Sequence, residues 1–299
     1  MSTETNPAVS VRGMLHLLVV YVVWSSTYLA IRVAVRPGAG FPPFAMAALR
    51  CLLAFPVLLA WAAARGLRLR PTGREMLLLM ATGILLWTSG NALVVVAEQH
   101  IGSGLAAILI ASTPIWVALL ESALDRRAPS KLVLGGLVLG FAGTALVGYP
   151  SLHSGARADA IAVVLLLLAA LSWGAGSLLH QRRPLKLDAL VCAAYQMFFG
   201  GLGVTVVSLA SGEPLPTPTP TAWLAFAFLL VFGSLISFTS FLKALQLLPT
   251  RLVFTYGYVN PVLAALLGWL ILGEHMQPAS LLGAGLVLLG VAGTFKAKH

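Results

Sequence analysis

Charge is what this chain has least of. Only 9% of its 299 residues are charged, and its nine acids are outnumbered by nineteen lysines and arginines. The acids are Glu4, Glu75, Glu98, Glu121, Asp125, Asp159, Asp188, Glu213 and Glu274. All fall at the ends of hydrophobic runs or between them, with Glu98 and Glu121 nearest to a run's interior. Proton-driven antiport usually needs a titratable group inside the membrane. The placement therefore weighs against proton coupling and leaves facilitated diffusion or exchange ahead. His180, close to the end of a run, reads as an interfacial polar residue. The two cysteines, Cys51 and Cys192, have no metal-ligand spacing and read as small buried residues. The sequence has no Walker loop, no HExxH helix, no GxSxG elbow and no paired intramembrane carboxylates. It is read as a non-enzyme, with no cofactor and no metal site.

What is abundant is apolar surface, at 59% of residues. Runs long enough to cross a bilayer, about 20 residues each, cover roughly 13–35, 41–64, 76–97, 102–123, 131–149, 159–180, 187–210, 221–244, 250–272 and 278–296. They lack the period-two alternation of a membrane barrel, so the spans are expected to be α-helices. The first run is too long for a signal peptide and lacks a convincing cleavage site, so it is taken as a true span. The fold expected is an all-α membrane protein of ten helices.

Those ten helices divide into two copies of one unit. Residues 135–144 read GGLVLGFAGT and 285–294 read GLVLLGVAGT; Trp24 is echoed by Trp173, Gln99 by Gln246 and Pro114 by Pro261. Five spans per copy is an odd number, so the second copy must be inverted, an arrangement typical of secondary transporters. The expected units are 1–152 and 153–299, joined through Tyr149 to Asp159. The proline-rich segment Ser211 to Thr221 reads as an extended, exposed structural loop. Gly136, Gly140 and Gly143, with Gly283, Gly290 and Gly293, allow two backbones to approach closely. Packing of one repeat on the other is favoured over a dimer face, and the oligomeric state stays open, a monomer included.

The basic residues give orientation. Arg12, Arg65, Arg68, Arg70, Arg74, Arg126, Arg127, Lys131, Arg182, Arg183, Lys186, Lys243, Arg251, Lys296 and Lys298 share one face, and only Arg32, Arg36 and Arg157 fall on the other. By the positive-inside rule both termini are cytoplasmic, in a bacterial inner membrane. The net charge of +10 is therefore an orientation signal with some affinity for anionic lipid, and no nucleic-acid partner is implied.

Three constellations point to a solute site. Pro114 and Pro261 are matched mid-span prolines, each freeing the carbonyl four residues back, at Ile110 and Gly257. Thr113 and Asn260 precede them. Matched interruptions in the two halves point to a midplane site. Arg50 and Gln196 share a repeat position. An arginine deep in a span faces a partner, a cavity or an anion, so Arg50 either binds a substrate carboxylate or satisfies backbone carbonyls at a break. Last, Trp24, Tyr28, Trp87, Trp116, Trp173, Tyr195, Tyr256 and Tyr258 lie at intermediate depth, Trp24 and Trp173 being repeat-matched and flanked by small residues. A cleft lined by rings with few charges suits an aromatic or amphipathic solute. The candidate binding set is Trp24, Tyr28, Arg50, Asn91, Trp116, Trp173, Tyr195, Gln196, Tyr256 and Asn260.

With these residues in view the chain resembles the drug/metabolite transporter superfamily, in its EamA-type branch of ten-helix exporters. The carriers are Phe44 through Arg50 (FAMAALR), Ser103 to Leu120 with Pro114, Thr250 to Leu267 with Pro261, Gly273-Glu274 and the two glycine-rich closing helices. The first copy departs from the glycine–glutamate ending, showing Asp125-Arg126-Arg127. Within the branch the chain looks most like YddG-type exporters of aromatic amino acids and related metabolites. The resemblance implies a small-molecule substrate and alternating access. The wider superfamily's small multidrug pumps carry a glutamate in their first helix. Tyr21 to Tyr28 offers none, so a proton-coupled multidrug pump is kept only as the alternative.

Overall fold

The structure, a computed structural model, describes residues 10–101, 103–147, 160–272 and 278–296. Among the described residues every regular element is helical. The helices fall on the hydrophobic runs to within a few residues: α1 (Val11–Val35), α2 (Pro43–Ala64), α3 (Gly73–Ala97), α4 (Ser103–Ile110), α5 (Thr113–Asp125), α6 (Lys131–Val147), α7 (Ala160–Arg182), α8 (Ala189–Ala210), α9 (Pro220–Leu247), α10 (Thr250–Val253), α11 (Tyr256–Leu272) and α12 (Pro278–Lys296). Seven stretches are long and apolar enough to cross a membrane: α1, α2, α3, α7, α8, α9 and Ala106–Asp125, which includes all of α5. Shorter apolar stretches occupy Lys131–Leu146 and Leu281–Gly290. The 149–159 connector, Gly273-Glu274, Glu4 and Asp159 lie outside the described residues.

Local chemistry sets the helix ends. Ser10 caps α1 by accepting from Gly13 N at 3.2 Å. Thr72 and Glu75 form a reciprocal capping box at the start of α3. Asp188 caps α8, and its position is fixed by Lys243 of α9 at 2.9 Å. Burial pushes the Asp188 carboxyl up, but the Leu190 N–H and the Lys243 ammonium outweigh it and hold it below the usual range.

The extended segment 213–219 is mostly exposed, as its prolines predict, yet it is tied to α2. Glu213 accepts from the N–H groups of Phe44 (2.9 Å) and Ala45 (2.7 Å), and Thr217 N and Thr219 N donate to Gly40 O and Ala39 O. Proline begins α2 and cannot cap it with a side chain, so a carboxylate from elsewhere fills the positive end of the helix. Glu213→Gln is expected to cost about 1–2 kcal/mol, read as a lower thermal midpoint in detergent.

Helices that correspond in the sequence repeat lie side by side. α2 packs along α8, and α6 along α12. A Cβ on Gly143 would sit 2.7 Å from Gly283 O, and one on Gly290 2.7 Å from Gly136 O. The glycine stripes thus face each other within one chain.

The interruptions are only partly where the prolines put them. In the first half the chain breaks at Ala111–Ser112, directly before Pro114, and Thr113 Oγ1 donates to the freed Ile110 carbonyl at 2.6 Å. In the second half Pro261 lies inside α11, and the break falls earlier, at Phe254–Thr255. There the backbone closes short turns (Gly257 N to Phe254 O, Tyr258 N to Thr255 O), and the Thr255 hydroxyl donates to Leu252 O. A proline removes one N–H and does not by itself stop a helix that neighbours hold in place. Pro261 therefore does not mark the break. The two regions still meet: a Cβ on Gly257 would lie 3.3 Å from Pro114 Cδ.

Candidate functional site

A third kind of interruption has no local signature in the sequence. Ile84–Asn91 of α3 and Leu229–Phe238 of α9 wind as wide π-helical turns, at matching places in the two copies. Such bulges release carbonyls from the helical ladder and recur at functional sites. Leu85 O is taken up by Ser172 Oγ of α7 at 2.9 Å, and Gly233 O by Trp24 Nε1 of α1 at 3.4 Å.

Between these turns lies a cavity of about 80 Å³. Its walls are Trp24, Thr27, Tyr28 and Ile31 of α1, Arg50 of α2, Trp87, Gly90, Asn91 and Val94 of α3, Ala169, Ala170 and Trp173 of α7, with Ile110, Thr113, Gly233 and Tyr256. On α1 and on α3 the lining follows i, i+3, i+4, i+7, one face of a helix. That spacing, counted from Trp24 and Trp87, is the signal that would have added Thr27, Ile31, Gly90 and Val94 to the candidates. Ala169 and Ala170 fall one turn before Trp173 on the same reasoning.

The rings hold one another. Trp24 meets Trp173 edge-on (5.5 Å between centroids) and Tyr256 edge-on (5.0 Å), and Trp87 meets Trp173 at 6.2 Å. These are the favoured edge-to-face geometries. Phe238 and Phe241 of α9 back the cluster against Trp87 and Trp24.

Arg50 is 3% exposed. One guanidinium nitrogen donates to Asn91 Oδ1 at 2.9 Å, and the group lies 4.9 Å from the Trp87 ring centroid, a cation–π distance. Its Nε has no partner, and among the described residues no carboxylate forms an ion pair with it. The indole N–H of Trp87 also lacks a partner, and that of Trp173 is directed at the Tyr256 hydroxyl. The buried, unsatisfied atoms on the cavity wall are thus all donors.

Six of the ten sequence candidates converge here: Trp24, Tyr28, Arg50, Asn91, Trp173 and Tyr256. The other four lie around the cavity without lining it. Trp116 packs with Tyr28 and Ile110 in a neighbouring apolar cluster. Tyr195 faces Phe55, with centroids 5.7 Å apart. Asn260, with its amide nitrogen turned to the backbone, bridges Tyr256 O and Tyr21 O at 3.2 Å each. Gln196 is fully buried, donates to Thr82 Oγ1 at 2.8 Å and lies 3.2 Å from His180 Nδ1. His180 is therefore enclosed between helices, 4% exposed. The shared repeat position of Arg50 and Gln196 places only Arg50 on the cavity. Tyr258 packs against Gly140 and sends its hydroxyl toward Leu137 O.

Glu98 was legible as a span end, and the structure buries it to 3% with both carboxyl oxygens unpartnered. Glu121 is less enclosed. A larger hollow of about 530 Å³ lies near the ends of α7 and α9, lined by Ser10, His180, Gln181, Leu245 and Pro249 among others. It gathers none of the orphaned donors. Among the described residues no cluster of histidine, cysteine and acids has a metal-binding arrangement.

Comparison with known proteins agrees with this architecture. A crystal structure superposes with a TM-score of 0.75 over 94% of this chain and 95% of its own, at 22% identity, which speaks for the fold alone. The uncharacterized inner membrane transporter YedA of Escherichia coli K12 is 34% identical over 277 residues, covering 92% of this chain and 88% of its own. A protein named as the S-adenosylmethionine/S-adenosylhomocysteine transporter of Chlamydia trachomatis is 29% identical over 287 residues, covering 90% and 84%. The EamA-like transporter family model matches twice, at residues 11–149 and 160–296. This multi-pass, all-helical chain belongs to the EamA-like transporter family.

Proposed function

We propose that the chain is an inner-membrane exporter of amino acids, aromatic and other neutral ones, and of related small metabolites, working by alternating access as a uniporter or exchanger. Ten spans form two inverted repeats, 1–152 and 153–299, with both termini cytoplasmic. The double match of the family model and the pairing of α2 with α8 and α6 with α12 support that arrangement. The observation that carries the functional reading is Arg50, a buried guanidinium without a carboxylate partner, set in a ring-lined cavity. A charge is kept in such a place at a cost of several kcal/mol, and a carboxylate arriving with the solute offsets it. Purified protein in liposomes loaded with unlabelled tryptophan should accumulate labelled tryptophan, phenylalanine or threonine by counterflow without any pH gradient. Liposomes that show no such exchange would sink the amino-acid reading.

A second reading is a proton-coupled multidrug efflux pump. Glu98 favours its first half, because burial without a hydrogen-bonding partner disfavours its charged form, and a carboxyl so placed can exchange a proton when exposed. Arg50 opposes its second half, since a cationic drug would meet a like charge. Uptake of methylated cations that collapses with an imposed pH gradient, and fails in Glu98→Gln, would decide for the pump.

A further inference from the structure

We infer that the cavity prefers an aromatic monocarboxylate, an anion carrying no ammonium group, over the amino acid of the same skeleton. The inference rests on the reading that this cavity is the solute site, and it goes further by naming the charge of the solute.

The polar inventory is one-sided. Arg50 Nε and Trp87 Nε1 are buried donors with nothing to donate to, while Trp173 Nε1 is directed at the Tyr256 hydroxyl, and a buried polar atom without a partner calls for one. Asn91 Oδ1 on the wall takes the Arg50 guanidinium at 2.9 Å, and Gly233 O takes the Trp24 N–H at 3.4 Å. Thr27 and Thr113 donate their hydroxyl protons to Trp24 O and Ile110 O, so with the Tyr28 and Tyr256 hydroxyls they offer an ammonium uncharged acceptors only. A carboxylate brings two oxygens and a full negative charge to two vacant donors, one of them charged. An ammonium finds no carboxylate on the wall and a like charge beside it. In an amino acid the ammonium sits on the carbon next to the carboxylate, so it is carried to Arg50 whenever the carboxylate binds there. In a poorly solvated cavity that repulsion is weakly screened.

Glu98 does not rescue the ammonium. It follows Asn91 by seven residues on α3, about 10 Å along the helix axis, while Asn91 marks where the guanidinium ends. The groups near Glu98 are Arg32 and Tyr28 of α1, and Arg32 donates to Ile101 O at 3.1 Å. The rings of Trp24, Tyr28, Trp173 and Tyr256 complete the other half of the preference, a flat apolar body.

The test is calorimetric titration of the purified full chain in detergent with three phenyl probes of one skeleton. 3-Phenylpropionate has the carboxylate alone, phenylalanine both groups, and phenethylamine the amine alone. 3-Phenylpropionate should bind about tenfold or more tighter than phenylalanine, and phenethylamine should give no binding heat. In Arg50→Gln the ratio of the first two should fall toward one. Phenylalanine binding as tightly as 3-phenylpropionate, binding of phenethylamine, or binding of none of the three would overturn the inference. The exporter reading is separated by counterflow. Phenylalanine exchange with no preference for the propionate keeps amino-acid export and rejects this inference. Tight propionate binding without amino-acid exchange does the reverse.

Discussion

Arg50→Gln is expected to lower amino-acid counterflow and solute affinity by about 100-fold while leaving the thermal midpoint unchanged or higher. The two halves of that result have separate causes. A buried guanidinium–carboxylate pair that loses one member forfeits a few kcal/mol, and 2.7 kcal/mol is a factor of about 100. Before solute arrives, however, Arg50 is an almost fully buried charge with an unsatisfied Nε and no acid opposite. Removing an unpaired charge from such a place relieves the folded state, which is the usual trade between a site and its scaffold. The sequence left a second role open, in which Arg50 satisfies backbone carbonyls at a helix break. The hydrogen bond of Arg50 is to a side chain, Asn91 Oδ1, and the breaks at Ala111–Ser112 and Phe254–Thr255 have local partners of their own. A structural Arg50 would give the opposite pair of results, a lower midpoint with flux largely kept. Measuring both on one preparation distinguishes the roles.

The contrast between Arg50 and Glu98 shows how much the sequence carried. The hydrophobic runs placed the helices to within a few residues because lipid forces every backbone group into a helix and so makes span length readable. Trp24, Trp173 and Arg50 were legible through repeat matching and the cost of a buried charge. Burial between helices was not legible, because it depends on which faces meet. Glu98 ends α3 in sequence and is 3% exposed in space, with Arg32 and Tyr28 of α1 near it. Gln196 shares a repeat position with Arg50, yet its amide nitrogen is spent on Thr82 and His180. The π-turns stayed hidden for a related reason. Their cost is offset by contacts from α7 and α1, Ser172 on Leu85 O and Trp24 on Gly233 O, which no local pattern announces. Pro261 misled in the other direction: a residue that breaks isolated helices is accommodated here inside one.

Gly200→Ala is expected to destabilise the protein by about 1–3 kcal/mol and to impair transport beyond that loss, while Gly135→Ala leaves both unaffected. A Cβ on Gly200 would stand 2.3 Å from Trp87 Cβ and 2.7 Å from Gly83 O. Neither contact is the free end of a flexible chain. Gly83 is itself pressed on α8, where its own Cβ would meet Gln196 O at 2.4 Å, so α3 cannot move aside without parting from α8 along both glycines. The remaining freedom is at Trp87, which would be driven toward the cavity it lines. Trp87 carries the Arg50 guanidinium over its face at 4.9 Å and touches Trp173 and Phe238 edge-on. A displaced Trp87 therefore disturbs the position of the charge as well as the ring cluster. Gly135 has nothing within 4 Å of the same added atom, and in a helix alanine costs less backbone entropy than glycine. The measurement is the thermal midpoint of both variants in detergent, with counterflow per correctly folded molecule. If Gly200→Ala keeps the wild-type midpoint, α3 and α8 do not approach as closely as described. If it loses stability yet transports normally per folded molecule, Trp87 does not hold Arg50 in place for the solute.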